Sequence, residues 1–151
     1  MKKEISGLKP RTQSRLLAIQ ALYQHAQTEH DIHQIIQEFI NTPIIAETEK
    51  TPVFDQDLFK SIATGVLQNT EEVNAMIERY LDEKWRIERL PIVMHCLLQC
   101  GSFELLFEKT IPTPVVLDQY IEIAKCFFDN RDIAFINAIL DNIAKAARQS
   151  S

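Results

Sequence analysis

Apolar residues recur at intervals of three and four positions along most of this 151-residue sequence, and this spacing constrains the fold more than any other feature. Side chains three and four positions apart share one face of an α-helix, so each such segment predicts a helix with a buried side. Only three glycines occur, and the six prolines stand mostly between the periodic segments. The pattern predicts an all-α protein of about seven helices joined by short connectors.

The predicted helices fall into two groups, about residues 10–81 and about residues 85–147. We expect them to pack as two small bundles within a single domain spanning residues 1–151. Residues 41–54 lose the helical period and predict an irregular loop. Residues that favour helix starts mark most of the other boundaries: Pro10, Asp31, Asp55 or Asp57, Thr70, Pro91, Thr113 with Pro114, and Asn130 or Asp132.

Hydropathy predicts a cytoplasmic protein that does not enter a membrane. The longest apolar runs are about half of the roughly 20 residues that a membrane-spanning helix needs. The first seven residues, Met1 to Gly7, are charged, and no apolar stretch of the kind found in secretory signals follows them.

The cysteines predict neither disulfides nor a metal site. Cys96, Cys100 and Cys126 are odd in number, lack a C-x-x-C spacing and lie in strongly apolar helical segments, which favours reduced cysteines in the core. His95 adjoins Cys96 but points about 100° away from it on a helix, and no fourth ligand stands nearby. We therefore expect no bound metal and no cofactor.

Positive charge is concentrated at the start of the chain. Residues 1–25 carry five basic residues and one acidic residue, residues 26–84 four and twelve, and residues 85–151 seven and eight. Arg11 and Arg15 are four apart, which places both on one face of the first helix, rotated away from most of its apolar stripe. This asymmetry is typical of a local anion-binding patch, and a solvated leader that aids solubility explains it equally well.

Catalysis is not expected from these residues. The sequence contains no P-loop, no G-x-G-x-x-G and no H-E-x-x-H. His25, His30 and His33 lie within nine residues, yet no two of them have the four-residue spacing of a helical metal site. We expect a binding protein and not an enzyme.

Several ordered motifs in this chain resemble the NusB family. The family pattern has a tryptophan followed by R-L, a helix ending in Y-E-L, then segments close to I-P-x-x-V-x-I-N-E, A-K-x-F and F-V-N-G-V-L-D, with A-x-Q-A-L-Y near the front. The matching segments here are residues 85–90, 102–106, 111–120, 123–128 and 135–141, with Arg15 and residues 18–23 at the front. The resemblance is weak in residues 26–84 and specific in residues 85–143.

The resemblance implies a fold of two three-helix bundles that binds RNA and a protein partner. NusB proteins bind the boxA element of nascent ribosomal RNA through an arginine-rich first helix. Their partner is NusE, the small-subunit ribosomal protein S-ten, and the pair joins RNA polymerase in the antitermination complex. A basic helix face that contacts phosphates, with aromatic groups beside it that contact unpaired bases, agrees with that activity.

The resemblance and the charge pattern together predict the RNA-binding residues. Arg11 and Arg15 are the main candidates on the first helix, helped by Lys9, Lys2 and Lys3 ahead of them. Arg131 and Phe135 are candidates near the start of the last helix, where Phe135 suits base stacking and the core about equally well.

Two residues are predicted to contact the protein partner. Tyr23 suits either the partner surface or the core, and Met94 lies on the helix that the resemblance associates with NusE binding. Trp85 and Phe103 are predicted as anchors of the core.

Three other hypotheses stay open at this stage. The same domain occurs at the front of ribosomal RNA cytosine methyltransferases, a hypothesis that requires these 151 residues to be part of a longer protein. An interaction module that has lost RNA binding would fit the thin basic face. A homodimer that covers the RNA face is the third.

Overall fold

The computed structural model describes residues 8–41 and 54–148. Within these ranges the chain forms seven α-helices, one 3₁₀ turn over Ile87–Arg89 and no strand, which confirms the all-α prediction. The helices are α1 (Pro10–Thr28), α2 (Ile32–Asn41), α3 (Gln56–Gln68), α4 (Thr70–Arg79), α5 (Ile92–Phe107), α6 (Thr113–Ala124) and α7 (Asn130–Arg148). Most of the predicted loop, residues 42–53, lies outside the described residues.

Side-chain caps fix two of the predicted helix starts. The Asp55 carboxylate accepts a hydrogen bond from the Leu58 amide at 3.0 Å and caps α3. Asp31 accepts from the Gln34 amide at 3.3 Å ahead of α2. These bonds satisfy amide groups that have no partner inside the first turn of a helix.

Two later starts differ from the prediction. Asp129, and neither Asn130 nor Asp132, caps α7, because its carboxylate accepts from the Asp132 amide at 3.0 Å. Thr113 is the first residue of α6 and makes no cap, and its hydroxyl oxygen instead accepts from Arg148 at 3.3 Å. The hydroxyl therefore joins the start of α6 to the end of α7.

Two central helices hold the fold together. Helix α1 packs against α2, α3, α5 and α6, and α5 packs against α1, α3, α4, α6 and α7. Every residue from Thr12 to Ile19 is buried, so this part of α1 has no solvent-facing side. The two groups of helices predicted from the sequence consequently share one continuous core.

Helices α3 and α5 approach closely at Gly65. A Cβ atom built on Gly65 would lie 2.3 Å from the Phe103 ring, well inside van der Waals contact. Phe103 is 5% exposed, which confirms its predicted place in the core. The glycine therefore makes room for an aromatic side chain between the two helices.

The three cysteines are buried, and no disulfide joins them. Burial raises the pKa of Cys96 to about 12 and raises the pKa of Cys100 well above its ordinary value. Both thiols are therefore protonated and unreactive at neutral pH. In the part of the chain that the structure describes, no helix is long and apolar enough to cross a membrane.

Candidate nucleic-acid and partner interface

Arg15 lies in the core and not on the surface. It is 1% exposed, and its guanidinium donates to both carboxylate oxygens of Glu104, at 2.7 Å from Nε and 2.9 Å from Nη2. The prediction that Arg15 contacts RNA is wrong, because four neighbouring helices cover this turn of α1. Periodicity placed Arg15 one turn after Arg11 on the same helix face, but neighbouring helices cover that face from Thr12 onward, so Arg11 is exposed and Arg15 is buried.

A network of polar side chains surrounds this ion pair. Gln119 on α6 accepts from Arg15 Nη1 at 3.0 Å and from the Thr12 hydroxyl at 2.6 Å. The Tyr120 hydroxyl donates to Glu104 Oε2. Each buried charge thus has an opposite charge and hydrogen bonds, the condition under which a charge is tolerated in a protein core.

The network determines the protonation of its members. Burial lowers the pKa of Arg15, but the hydrogen bonds and negative charge of Glu104 outweigh it, so that pKa lies above its ordinary value. Burial and the charge of Glu104 raise the pKa of Tyr120 well above its ordinary value. At neutral pH the arginine is charged and the tyrosine hydroxyl keeps the proton that it donates.

The exposed cations at the start of α1 are Lys9 and Arg11, which we call the basic cluster. Both side chains are exposed, and Arg11 Nη1 lies 3.1 Å from an Asp55 carboxylate oxygen in an ion pair that is itself open to solvent. Ser14 anchors the same turn, since its hydroxyl donates to the Asp55 carbonyl at 2.8 Å and accepts from the Asp55 amide at 2.7 Å. Lys2 and Lys3, which were expected to assist, lie outside the described residues.

A second group of surface residues lies where α7 begins. The rings of Trp85 and Phe135 pack with centroids 5.7 Å apart, and the tryptophan is 46% exposed. Arg131 is exposed one turn before Phe135, on the same helix face, and Arg86 is exposed beside the tryptophan. We call Trp85, Phe135 and Arg131 the aromatic cluster. The prediction that Trp85 anchors the core is wrong, because its ring lies on the surface against a half-buried partner.

The two clusters lie on different elements, one at the start of α1 and the other around the start of α7. A ligand that contacts both clusters must bridge these two helix starts.

Tyr23 borders an exposed apolar pocket. The pocket has a volume of about 370 Å³, and three of the residues around it, Tyr23, Ile92 and Phe127, are about two-fifths exposed. Its lining residues come from α1, the start of α5 and the segment after α6: Tyr23, Pro91, Ile92, Val93, Phe127 and Phe128. Exposed apolar surface of this kind is typical of a protein-binding site.

Met94 does not belong to this pocket. It is 4% exposed and packs in the core, so the prediction that it contacts a partner is wrong. The neighbouring His95 hydrogen-bonds Asn74 on α4 at 3.0 Å, and burial lowers the pKa of His95, so its ring is neutral at pH 7.

Two signals in the sequence could have indicated the buried network. Glu104 is the only acidic residue in the mostly apolar α5 segment, and a lone carboxylate in such a segment predicts a buried cationic partner. On α1, the polar residues from Thr12 to Arg15 run directly into an apolar stretch. A helix without distinct polar and apolar faces is one that neighbours surround.

The NusB family model matches residues 12–145, which is most of the chain and includes both the buried network and the aromatic cluster. The chain belongs to the NusB family. The transcription antitermination protein NusB of Caulobacter vibrioides is 37% identical over 143 residues, which cover 93% of this chain and 96% of that protein.

Solved structures of NusB proteins have the same fold. The structure of T. maritima NusB is 36% identical, covers 93% of this chain and 95% of its own, and superposes with a TM-score of 0.75. A structure of the antitermination factors NusB and NusE in complex with double-stranded RNA matches with a TM-score of 0.75 at 23% identity, covering 89% of this chain and 96% of that one. That second likeness concerns the fold alone.

Proposed function

We propose that this NusB family member is a transcription antitermination factor that binds boxA-type RNA together with NusE. The observation that carries the proposal is the match over almost the whole chain to a curated antitermination protein at 37% identity. In this role the protein binds nascent ribosomal RNA and joins RNA polymerase in the antitermination complex. It acts in the cytoplasm and by binding, not by catalysis.

The RNA-binding surface in this proposal comprises the basic cluster and the aromatic cluster. Lys9 and Arg11 supply phosphate contacts, and Trp85 with Phe135 supplies rings on which an unpaired base can stack. Arg131 is placed to contact a phosphate or a base edge next to those rings. Exposed aromatic rings beside exposed arginines are the surface that single-stranded RNA-binding proteins use.

The apolar pocket is the proposed NusE-binding surface. We assign Tyr23 to this surface because it is exposed, and Ile92 and Phe127 to it in place of the buried Met94. Partly exposed aromatic and aliphatic side chains around a pocket are typical of the residues that dominate binding energy in protein interfaces.

Titration of a fluorescently labelled boxA RNA with this protein, alone and with NusE, at two salt concentrations tests the RNA half. We expect binding that NusE strengthens and that salt weakens. Changing Lys9 and Arg11 together to alanine removes two phosphate contacts, which should reduce the slope of log K against log salt by about 1.4 for a single strand.

Lys125 and Lys145 are exposed outside both clusters and provide the matched control, since their double alanine variant loses the same charge. It should keep the wild-type salt slope. Absence of RNA binding even with NusE would contradict the proposal. If the protein still bound NusE in that case, the result would support the alternative hypothesis of an interaction module that has lost RNA binding.

The partner half is tested by the affinity for NusE of the Phe127→Ala and Tyr23→Ala variants. We expect each variant to bind about tenfold or more weakly, the effect typical of a dominant interface residue. Phe107→Ala is the control, because Phe107 is 41% exposed and lies outside the pocket. Equal affinity of all three variants would place the NusE surface elsewhere.

A further inference from the structure

We propose that Gln119 and Arg15 are positioning residues: they fix the first turn of α1 so that Lys9 and Arg11 face the RNA, and neither touches the RNA itself. This inference rests on the proposed function. It gives the polar network a task that its buried members Thr12, Arg15 and Glu104 cannot perform by contact, while Gln119 is partly exposed.

Gln119 is the point at which α6 holds the start of α1. Its single amide oxygen, Oε1, accepts from the Thr12 hydroxyl at 2.6 Å and from Arg15 Nη1 at 3.0 Å. Thr12 and Arg15 lie one turn apart, so one acceptor fixes two successive positions on the same face of α1. Thr12 is 2% exposed and follows Arg11 directly.

The opposite side of the same turn is held by Asp55. Its backbone exchanges hydrogen bonds with Ser14, and its carboxylate pairs with Arg11 at 3.1 Å. The turn therefore lies between two fixed points, Gln119 on α6 and the cap of α3. Removing the Gln119 bonds leaves the turn held by Asp55 and, one turn later, by the Arg15–Glu104 pair. The first turn and the basic cluster then lose their attachment to α6 and gain freedom to move.

Arg15 completes the connection without exposing its charge. Both carboxylate oxygens of Glu104 and the amide oxygen of Gln119 occupy its three nitrogen atoms. A guanidinium has five N–H groups, of which these bonds use three, and the 1% exposure of Arg15 keeps the other two out of reach of a phosphate. Its charge is balanced inside the core, while the charges on Lys9 and Arg11 remain at the surface.

The uncharged residue Gln119 provides the decisive test, because replacing it with leucine removes no cation. Gln119→Leu, Gln119→Glu and wild type are titrated with a single-stranded boxA RNA over a range of KCl concentrations. The leucine variant lacks the acceptor, and the glutamate variant keeps it. If two phosphate contacts are lost, the salt slope of Gln119→Leu falls by about 1.4, and Gln119→Glu restores most of it.

Gln99→Leu is the matched control. Gln99 is a buried glutamine that donates to Asn74 at 3.1 Å on the far side of α5. Its replacement also removes a side-chain hydrogen bond but leaves the start of α1 attached, so the wild-type salt slope is expected. Thr12→Val, which removes one hydroxyl at nearly constant volume, provides a milder second variant if Gln119→Leu fails to fold.

Hydrogen exchange separates failure of this inference from failure of the proposed function. Gln119→Leu, or Thr12→Val in its place, should accelerate exchange of the backbone amides of residues 13–16 relative to Gln99→Leu, whether or not RNA binds. Unchanged exchange together with an unchanged salt slope would overturn the positioning role. If exchange is faster in the variant but the wild type binds no RNA, Gln119 does hold the start of α1, and the proposed RNA-binding function is wrong.

Discussion

The first turns of α1 and of α7 present the same sequence pattern, with opposite results. Each has an arginine followed four residues later by a second candidate for RNA binding, Arg11 with Arg15 and Arg131 with Phe135. On α1 the second residue enters the core and forms an ion pair. On α7 the second residue stays half-buried beneath an exposed tryptophan.

The difference follows from the number of neighbours around each helix. Helix α1 runs between α2, α3, α5 and α6, which leave no open side at its second turn. Helix α7 packs on α4, α5 and α6, and its buried residues are confined to one stripe that starts at Ile136. A four-residue spacing gives the relative direction of two side chains, whereas the surrounding helices decide whether that direction leads to water or into the core.

The largest loss of stability is expected when the buried Arg15–Glu104 ion pair is broken. Glu104→Gln preserves shape but leaves the Arg15 guanidinium without a counter-charge, which should cost about 3–5 kcal/mol of the free energy of unfolding. Urea denaturation measures it. Asp141→Asn, which breaks the exposed Lys145–Asp141 pair on α7, should cost less than about 1 kcal/mol. Equal losses would mean that the environments of α1 and α7 do not differ as described.

The arginines at the two ends of α7 should also differ in how much they contribute to the free energy of unfolding. Arg148 donates to the carbonyl oxygens of Glu104, Leu105, Glu108 and Ile111, so it holds the end of α5. Arg148→Ala should therefore cost about 2–3 kcal/mol, since several partly buried acceptors lose a charged donor. Arg131→Ala at the exposed end should change the unfolding free energy by about 0.5 kcal/mol or less. Thermal and urea unfolding of both variants measure the difference.

Trp85→Ala tests whether the exposed tryptophan that packs on Phe135, near the start of α7, binds a base. Loss of one stacked base should weaken boxA RNA binding by about 1–3 kcal/mol. Stability should change little, because the ring is nearly half exposed. Phe107→Ala removes another exposed aromatic ring outside the cluster and should leave RNA affinity unchanged. An unaffected Trp85→Ala variant would exclude the aromatic cluster from the RNA surface.

The smallest effect concerns the surface cation on α1. Arg11→Ala should reduce the salt slope of RNA binding by about 0.7, the value for one phosphate contact on a single strand. Arg15→Met at the next turn is the comparison, with the slope measured on protein shown by circular dichroism to be folded. If Arg15→Met reduced the salt slope by the same amount without changing amide exchange at the start of α1, Arg15 would contact RNA directly, contrary to its buried position.

Much of the fold could be predicted from local pattern. Asp55 before an apolar stripe correctly indicated the start of α3, and the motifs from residue 85 onward correctly indicated the family. The candidate site was predicted less completely. Lys9, Arg11 and Arg131 are exposed as expected, while Trp85 is exposed against the prediction that it anchors the core.

The sequence by itself determined the helices, their order and the family, because periodicity, caps and motif spacing are properties of neighbouring residues. The tertiary structure decided which polar side chains reach water. Arg15 and Glu104 are 89 positions apart, and only the packing of α1 against α5 makes them an ion pair. For the same reason Met94, predicted at the surface, is buried, and Trp85, predicted in the core, is exposed. Exposure depends on which elements cover a helix face, and local spacing does not specify those elements.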